Sequence, residues 1–205
     1  MERLAVNSGV MVDAVWPRHS AMRRVRDLIL VLGGAMVIAL SAHLEIPLTP
    51  VPITAQTFAV LLLAALYGSR RGAATSATYL FLGLVGLPVF AGGTAGIVRL
   101  LGPTGGYLIG YVPAAFLVGW LSERGWDRKP WSAALSMVAG NAIIYLTGVL
   151  WLSRFVGASS VWQAGVLPFL PGDAFKIVLA TLLLPLGWRL VARPGRHHVD
   201  PPNEP

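Results

Sequence analysis

The chain has 205 residues, 55% hydrophobic and 12% charged, about half the charged share of a water-soluble domain, which excludes an ordinary soluble fold. The formal net charge is +7, but Lys and Arg sit in short clusters at the ends of apolar runs, not along a basic stripe, so no nucleic-acid partner is expected. The absence of cysteine excludes disulfides, thiolate metal sites and cysteine nucleophiles.

The first twenty residues carry Glu2, Arg3, Asp13 and Arg18 without an apolar core. No cleaved signal peptide is therefore expected, and the first span would serve as an uncleaved anchor. Uncharged apolar stretches run from Leu28 to Leu44, Gly72 to Val98 and Pro130 to Ser153, lengths that approach or exceed a hydrocarbon core of ~30 Å at ~1.5 Å per residue. The pattern predicts an all-α integral membrane protein with six spans, at 27–44, 54–67, 72–90, 106–122, 131–153 and 171–191. The spans form one membrane domain over 27–192, between an amino-terminal arm over 1–26 and a polar, proline-rich tail over 193–205 expected to be disordered. His197 and His198 in that tail read as a solvated dipeptide, with no further metal ligand beside them.

In this layout thirteen of the sixteen Lys and Arg residues fall on one side, in the arm, the second and fourth connections and the end of the last span. Arg99 and Arg154 fall on the other, and Lys176 lies inside the last span. The positive-inside rule then makes both termini cytoplasmic. Trp120, Trp126, Trp131, Trp151 and Trp188 lie at or beside span ends, where an indole keeps its N–H at the headgroups.

No phosphate loop, H-E-x-x-H or G-x-S-x-G motif occurs, and the spans lack the carboxylate pairs of an ion-driven pump. A binding protein or passive pathway remains. Pro171-Gly-Asp-Ala-Phe-Lys176 opens the last span. Asp173 suits the positive end of the helix dipole, whereas Lys176 one turn in is opposed by it and needs an anion nearby. One reading is an i,i+3 pair with the lysine snorkelling to the interface. The other is a pocket in which Lys176 neutralises a ligand carboxylate while Asp173 accepts from ligand N–H groups.

Two connections on the same side carry further signals. The segment from Ala91 to Gly106 is glycine-rich and reads either as a re-entrant, ligand-lining loop or as a flexible hairpin. Arg99 within it is a headgroup anchor or a second cation for the ligand. Pro47-Leu-Thr-Pro-Val-Pro-Ile-Thr-Ala-Gln56 is a stiff extended segment, either a lid or a tight connection. Asn141 and Tyr145, at i,i+4, serve interhelical hydrogen bonding or the pocket. Ala35 and Ala39 place two small side chains on one face of the first span, for internal packing or for docking another membrane helix. His43 and Glu45 read as interfacial.

Val51-Pro-Ile-Thr-Ala-Gln-Thr-Phe58, Gly86-Leu-Pro-Val-Phe-Ala-Gly-Gly93, Leu101-Gly-Pro-Thr-Gly-Gly-Tyr-Leu108 and Leu167-Pro-Phe-Leu-Pro-Gly-Asp-Ala-Phe-Lys176 resemble the signatures of the BioY family. Its members are the biotin-binding S components of energy-coupling factor transporters. The resemblance runs from about Leu28 to Leu190 and implies a six-helix, multi-pass protein of a prokaryotic plasma membrane that captures biotin from outside. A transmembrane coupling subunit and two cytosolic ATPase subunits are the implied partners, driving release inward as the S component topples. Biotin is then the carried ligand, with no cofactor and no catalysis. Asp173 and Lys176 match the family's biotin-contacting pair, and Arg99 lies where a family arginine contacts ligand. Gln56, Gly93, Thr94, Tyr107, Asn141 and Tyr145 complete the expected site. The resemblance also implies that Ala35 and Ala39 dock on the coupling subunit. The rival reading is a self-sufficient facilitator or secondary transporter of a small carboxylate. A membrane enzyme or assembly factor is a third, for which the sequence offers no catalytic constellation.

Overall fold

The structure, a computed structural model, describes residues 9–16, 22–157 and 159–191. The expected tail, with His197 and His198, lies outside the described residues. Helices α1 (Met11–Val15) and α2 (Arg23–Ala42) lead into a two-stranded hairpin, β1 (Glu45–Ile46) and β2 (Ile53–Thr54). Then come α3 (Gln56–Tyr67), α4 (Ser69–Leu84), a 3₁₀ turn over Ala91–Gly93, α5 (Ile97–Leu101), α6 (Gly105–Ser122), α7 (Pro130–Val156), α8 (Val161–Gly165) and α9 (Leu170–Val191).

Each of the six predicted segments meets a helix. Four of these, α2, α6, α7 and α9, are long and apolar enough to cross a bilayer, and α3 is a shorter apolar helix. The third segment is displaced from 72–90 to Ser69–Leu84. Gly86, at φ 101°, takes a left-handed conformation that stops the helix, and Pro88 follows. At the other end Gly68, at φ 89°, turns the chain directly from α3 into α4. Glu123 accepts from the Ser69 N–H and hydroxyl, both at 2.8 Å, placing an anion at the start of α4 where the dipole favours it.

The helices approach closely where side chains are absent. A Cβ on Gly110 of α6 would lie 3.2 Å from the Ile144 Cα of α7, and one on Gly72 of α4 would lie 2.8 Å from the Ala64 Cα of α3. The core gathers Ile38, Val60, Leu61, Tyr79, Phe90, Val118, Leu152 and Leu184. Leu28, Ile29, Leu32, Met36 and Leu40 of α2 remain exposed, as does Leu182 of α9, an apolar exterior of the kind a bilayer covers.

Ala35 and Ala39 do not lie on that exterior. They are 0% and 4% exposed and belong to the core. The reason is the tight seating of α2 on α4: a Cβ on neighbouring Gly34 would lie 2.8 Å from the Thr75 Cγ2.

The described part of the expected arm also joins the bundle. Val10 and Met11 are buried, with Met11 against Gly187 of α9. Asp13 forms an ion pair with Arg26, which is 2% exposed, and accepts from Arg71 at 2.8 Å. A guanidinium this buried requires such a partner.

Two indoles depart from the headgroup expectation. Trp188 Nε1 donates to Asp127 at 2.6 Å and Trp151 Nε1 donates to the Gly102 carbonyl at 2.9 Å. Asp127, in the connection between α6 and α7, is fully buried, and burial pushes its carboxyl up to about 6 although the Trp188 hydrogen bond opposes the shift. Arg128 stacks on the opposite partner of this contact, 4.6 Å from the Trp188 ring.

Candidate functional site

The start of α9 fixes the charged part of the site. Pro171 suits a first helical turn, and the Asp173 N–H donates to the Phe169 carbonyl at 2.9 Å. The buried Asp173 side chain accepts from Lys176 Nζ at 3.0 Å and from the Tyr145 hydroxyl of α7. Lys176 does not snorkel. Its ammonium turns to the segment entering α3 and donates to the Thr54 carbonyl and the Thr57 hydroxyl, both at 2.9 Å. The i,i+3 pair and the pocket are therefore one arrangement: three protein acceptors hold the lysine, and the pair is close to electroneutral.

Among the cavities around this cluster, two share a wall. The first is lined by Thr57, Asn141, Ile144, Tyr145, Phe169, Asp173 and Lys176 together with Val51, Pro52, Thr54, Tyr107 and Tyr111. The second shares those last five residues and adds Gln56, Phe90, Ala91, Arg99, Thr104 and Leu108. They meet at those five residues and form one elongated space. One end holds the Asp173–Lys176 pair, the middle is lined by Val51, Pro52, Tyr107 and Tyr111, and the other end holds Arg99. The guanidinium of Arg99 has no hydrogen-bond or ion-pair partner among the described residues, and no carboxylate lines its end of the space.

Seven of the nine expected ligand residues line this space: Asp173, Lys176, Asn141, Tyr145, Tyr107, Gln56 and Arg99. Asn141 donates one amide N–H to the Met137 carbonyl of its own helix at 3.1 Å. The Gln56 amide is turned partly into the wall, where Nε2 donates to the Tyr79 hydroxyl and Oε1 accepts from Thr54 at 3.1 Å. Gly93 and Thr94 line neither cavity. The Phe90 N–H donates to the Thr94 carbonyl at 3.1 Å and the Thr94 hydroxyl to the Ala91 carbonyl at 2.8 Å, a turn that presents Phe90 and Ala91 to the space instead.

Sequence reasoning missed Thr54, Thr57, Tyr111, Phe90, Phe169 and Tyr79. Tyr111 carried a usable signal, since it lies one turn beyond Tyr107 on the same face of α6. Tyr79, fully buried and edge-on to Phe90 at 5.6 Å between centroids, carried none, because an aromatic in an apolar span reads first as core.

Fold and site together define a multi-pass membrane protein with an internal small-ligand space, polar at both ends and apolar between. The chain belongs to the BioY family, which it matches over residues 13–193. It is 43% identical over 148 residues to the biotin transporter BioY of Thermotoga maritima, covering 72% of this chain and 86% of that one. With the biotin transporter BioY of Rhodobacter capsulatus it shares 40% identity over 166 residues, 74% of this chain and 87% of the relative. Among solved structures it is similar to the S-component for biotin from an ECF-type ABC transporter, with a TM-score of 0.71 and 27% identity. That likeness covers 87% of this chain and 97% of the other.

Proposed function

We propose that the chain is a biotin-uptake protein, the substrate-binding S component of an energy-coupling factor transporter. The observation that carries this reading is the distribution of charge along the space: an ion pair with hydrogen-bonding neighbours at one end and a lone arginine at the other. Biotin has the matching chemistry, a ureido group with two N–H donors and a carbonyl, joined through an apolar chain to a carboxylate.

Asp173 accepts from Lys176 and Tyr145, which leaves lone pairs for a ureido N–H. Asn141 retains its second amide N–H beside it for the carbonyl. Lys176 is already held by three acceptors, so it serves as the fixed counter-charge of Asp173 and not as the carboxylate reader. That role falls to Arg99, whose planar fork suits a carboxylate. Gly93 and Thr94 act by shaping the turn that carries Phe90.

The reading extends to topology and partners. Six spans with both termini cytoplasmic would turn the biotin space outward, in keeping with the Lys and Arg residues gathered in the arm, the second and fourth connections and the end of the last span. Membership of the family supports a prokaryotic plasma membrane and, as partners, a transmembrane coupling subunit and two ATPase subunits. The test is uptake into proteoliposomes. The chain alone should bind biotin without accumulating it, and accumulation should require ATP and the three partner subunits. Accumulation by the chain alone would make it a self-sufficient carrier.

A further inference from the structure

The short helix that carries Arg99 is weakly supported by burial. None of the residues of α5 is buried, and Ile97, Val98 and Leu101 are exposed. Only Leu100 packs in part against the core. A hydrogen bond at each end holds the segment instead. Before the helix, the Gly96 N–H donates to the Gly83 carbonyl of α4 at 2.8 Å. After it, the Gly102 carbonyl accepts from the Gly105 N–H at 3.0 Å and from Trp151 Nε1 at 2.9 Å.

Trp151 belongs to α7, which spans 27 residues and packs along α6, so its indole is a rigid post. Gly102 in turn donates its N–H to the Val98 carbonyl at 3.0 Å, so the carbonyl that Trp151 grips belongs to the turn that displays Arg99. The indole reaches it because the facing helix start has no side chains. A Cβ on Gly105 would lie 3.2 Å from Trp151 Nε1, and one on Gly106 would collide with the Trp151 Cβ. Arg154 stacks 5.0 Å from the Trp151 ring and adds a second hold on it. Trp151 itself lines neither cavity.

We infer that Trp151 is a positioning residue, whose indole N–H, donated to the Gly102 carbonyl, sets the place of Arg99 and so the affinity for the ligand's carboxylate. The inference rests on the reading of Arg99 as the carboxylate partner of biotin. A tryptophan at a span end ordinarily directs its N–H to the headgroups. Here the N–H is directed into the protein and serves the site.

The test is Trp151→Phe in the full chain, which keeps an aromatic ring and removes the donor. Biotin affinity should fall roughly three- to ten-fold, the range for one neutral hydrogen bond, while affinity for biotin methyl ester stays at the parental value. In an Arg99→Gln background the same substitution should cause no further loss. Benzothienylalanine at position 151, which keeps the bicyclic shape and lacks the N–H, should reproduce the effect and serves where the phenylalanine variant folds poorly. Equal losses for acid and ester would mean general loosening and would overturn the inference, as would unchanged affinity for both. A parent that binds biotin without distinguishing acid from ester would remove the Arg99 assignment and this inference with it. A parent that does not bind biotin would strike the proposed function itself.

Discussion

Lys176 Nζ lies 3.0 Å from Asp173 Oδ1 and 2.9 Å from the Thr54 carbonyl, so one ammonium ties the first turn of α9 to the segment entering α3. The two anchors come from opposite ends of the sequence, and the ligand space opens between them. Lys176→Met strips Asp173 of its counter-charge inside the bundle, a change that costs about 3–5 kcal/mol for a buried pair. The variant should show a lower melting temperature and biotin binding weakened by roughly 30-fold or more. Asp173→Asn should weaken binding comparably with a smaller loss of stability, because the amide leaves no buried anion. Parental affinity in both variants would remove the pair from the site.

Arg99 supplies the sharpest chemical discrimination. Arg99→Gln should weaken biotin about ten-fold or more, as for a lost hydrogen bond to a charged group, yet leave biotin methyl ester unaffected. Competition binding with both ligands checks this. An equal effect on acid and ester would return the carboxylate to Lys176.

Ala35 separates packing from docking. It is 0% exposed, so Ala35→Leu overpacks the junction of α2 with its neighbours, at about 1–3 kcal/mol. The variant should melt earlier than the parent, whereas Met36→Ala on the exposed side of the same helix should not. Thermal unfolding in detergent reads both. An unchanged melting temperature in Ala35→Leu would free this face for a partner.

Asp127 makes the opposite end of the bundle sensitive to pH. Burial raises its carboxyl from 3.8 to about 6, so the folded chain holds this proton more tightly than the unfolded chain does. The corresponding stabilisation is complete below the unfolded value and is lost as pH rises through about 6. Melting temperature should therefore carry a downward step between about pH 4 and pH 7, and Asp127→Asn should flatten that step. A step that persists unaltered in the variant would assign it to another group.

These expectations draw unequally on the sequence. The helices were legible because apolar runs of span length have few other uses, and the third slipped only where Gly86 ended it early. Asp173 and Lys176 were legible because charges inside apolar helices are costly and rare. Ala35 and Ala39 were legible only as a small-residue face, which suits a core and a partner equally. The N–H groups of Trp151 and Trp188 departed from expectation because position along a span gives depth in the membrane but not rotation about the helix. Thr54 and Tyr111 became site residues, and Tyr79 the partner of Gln56, only through contacts between elements far apart in the chain. The proposed division of labour between Lys176 and Arg99 likewise rests on the three acceptors around the lysine, two of which lie at Thr54 and Thr57.

The most direct test of the central claim is calorimetric titration of the purified full chain with biotin, run beside biotin methyl ester and the Asp173→Asn variant. Binding should be saturable at one site per chain, weaker for the ester and weaker for the variant. Absence of biotin binding by protein that melts cooperatively would contradict it.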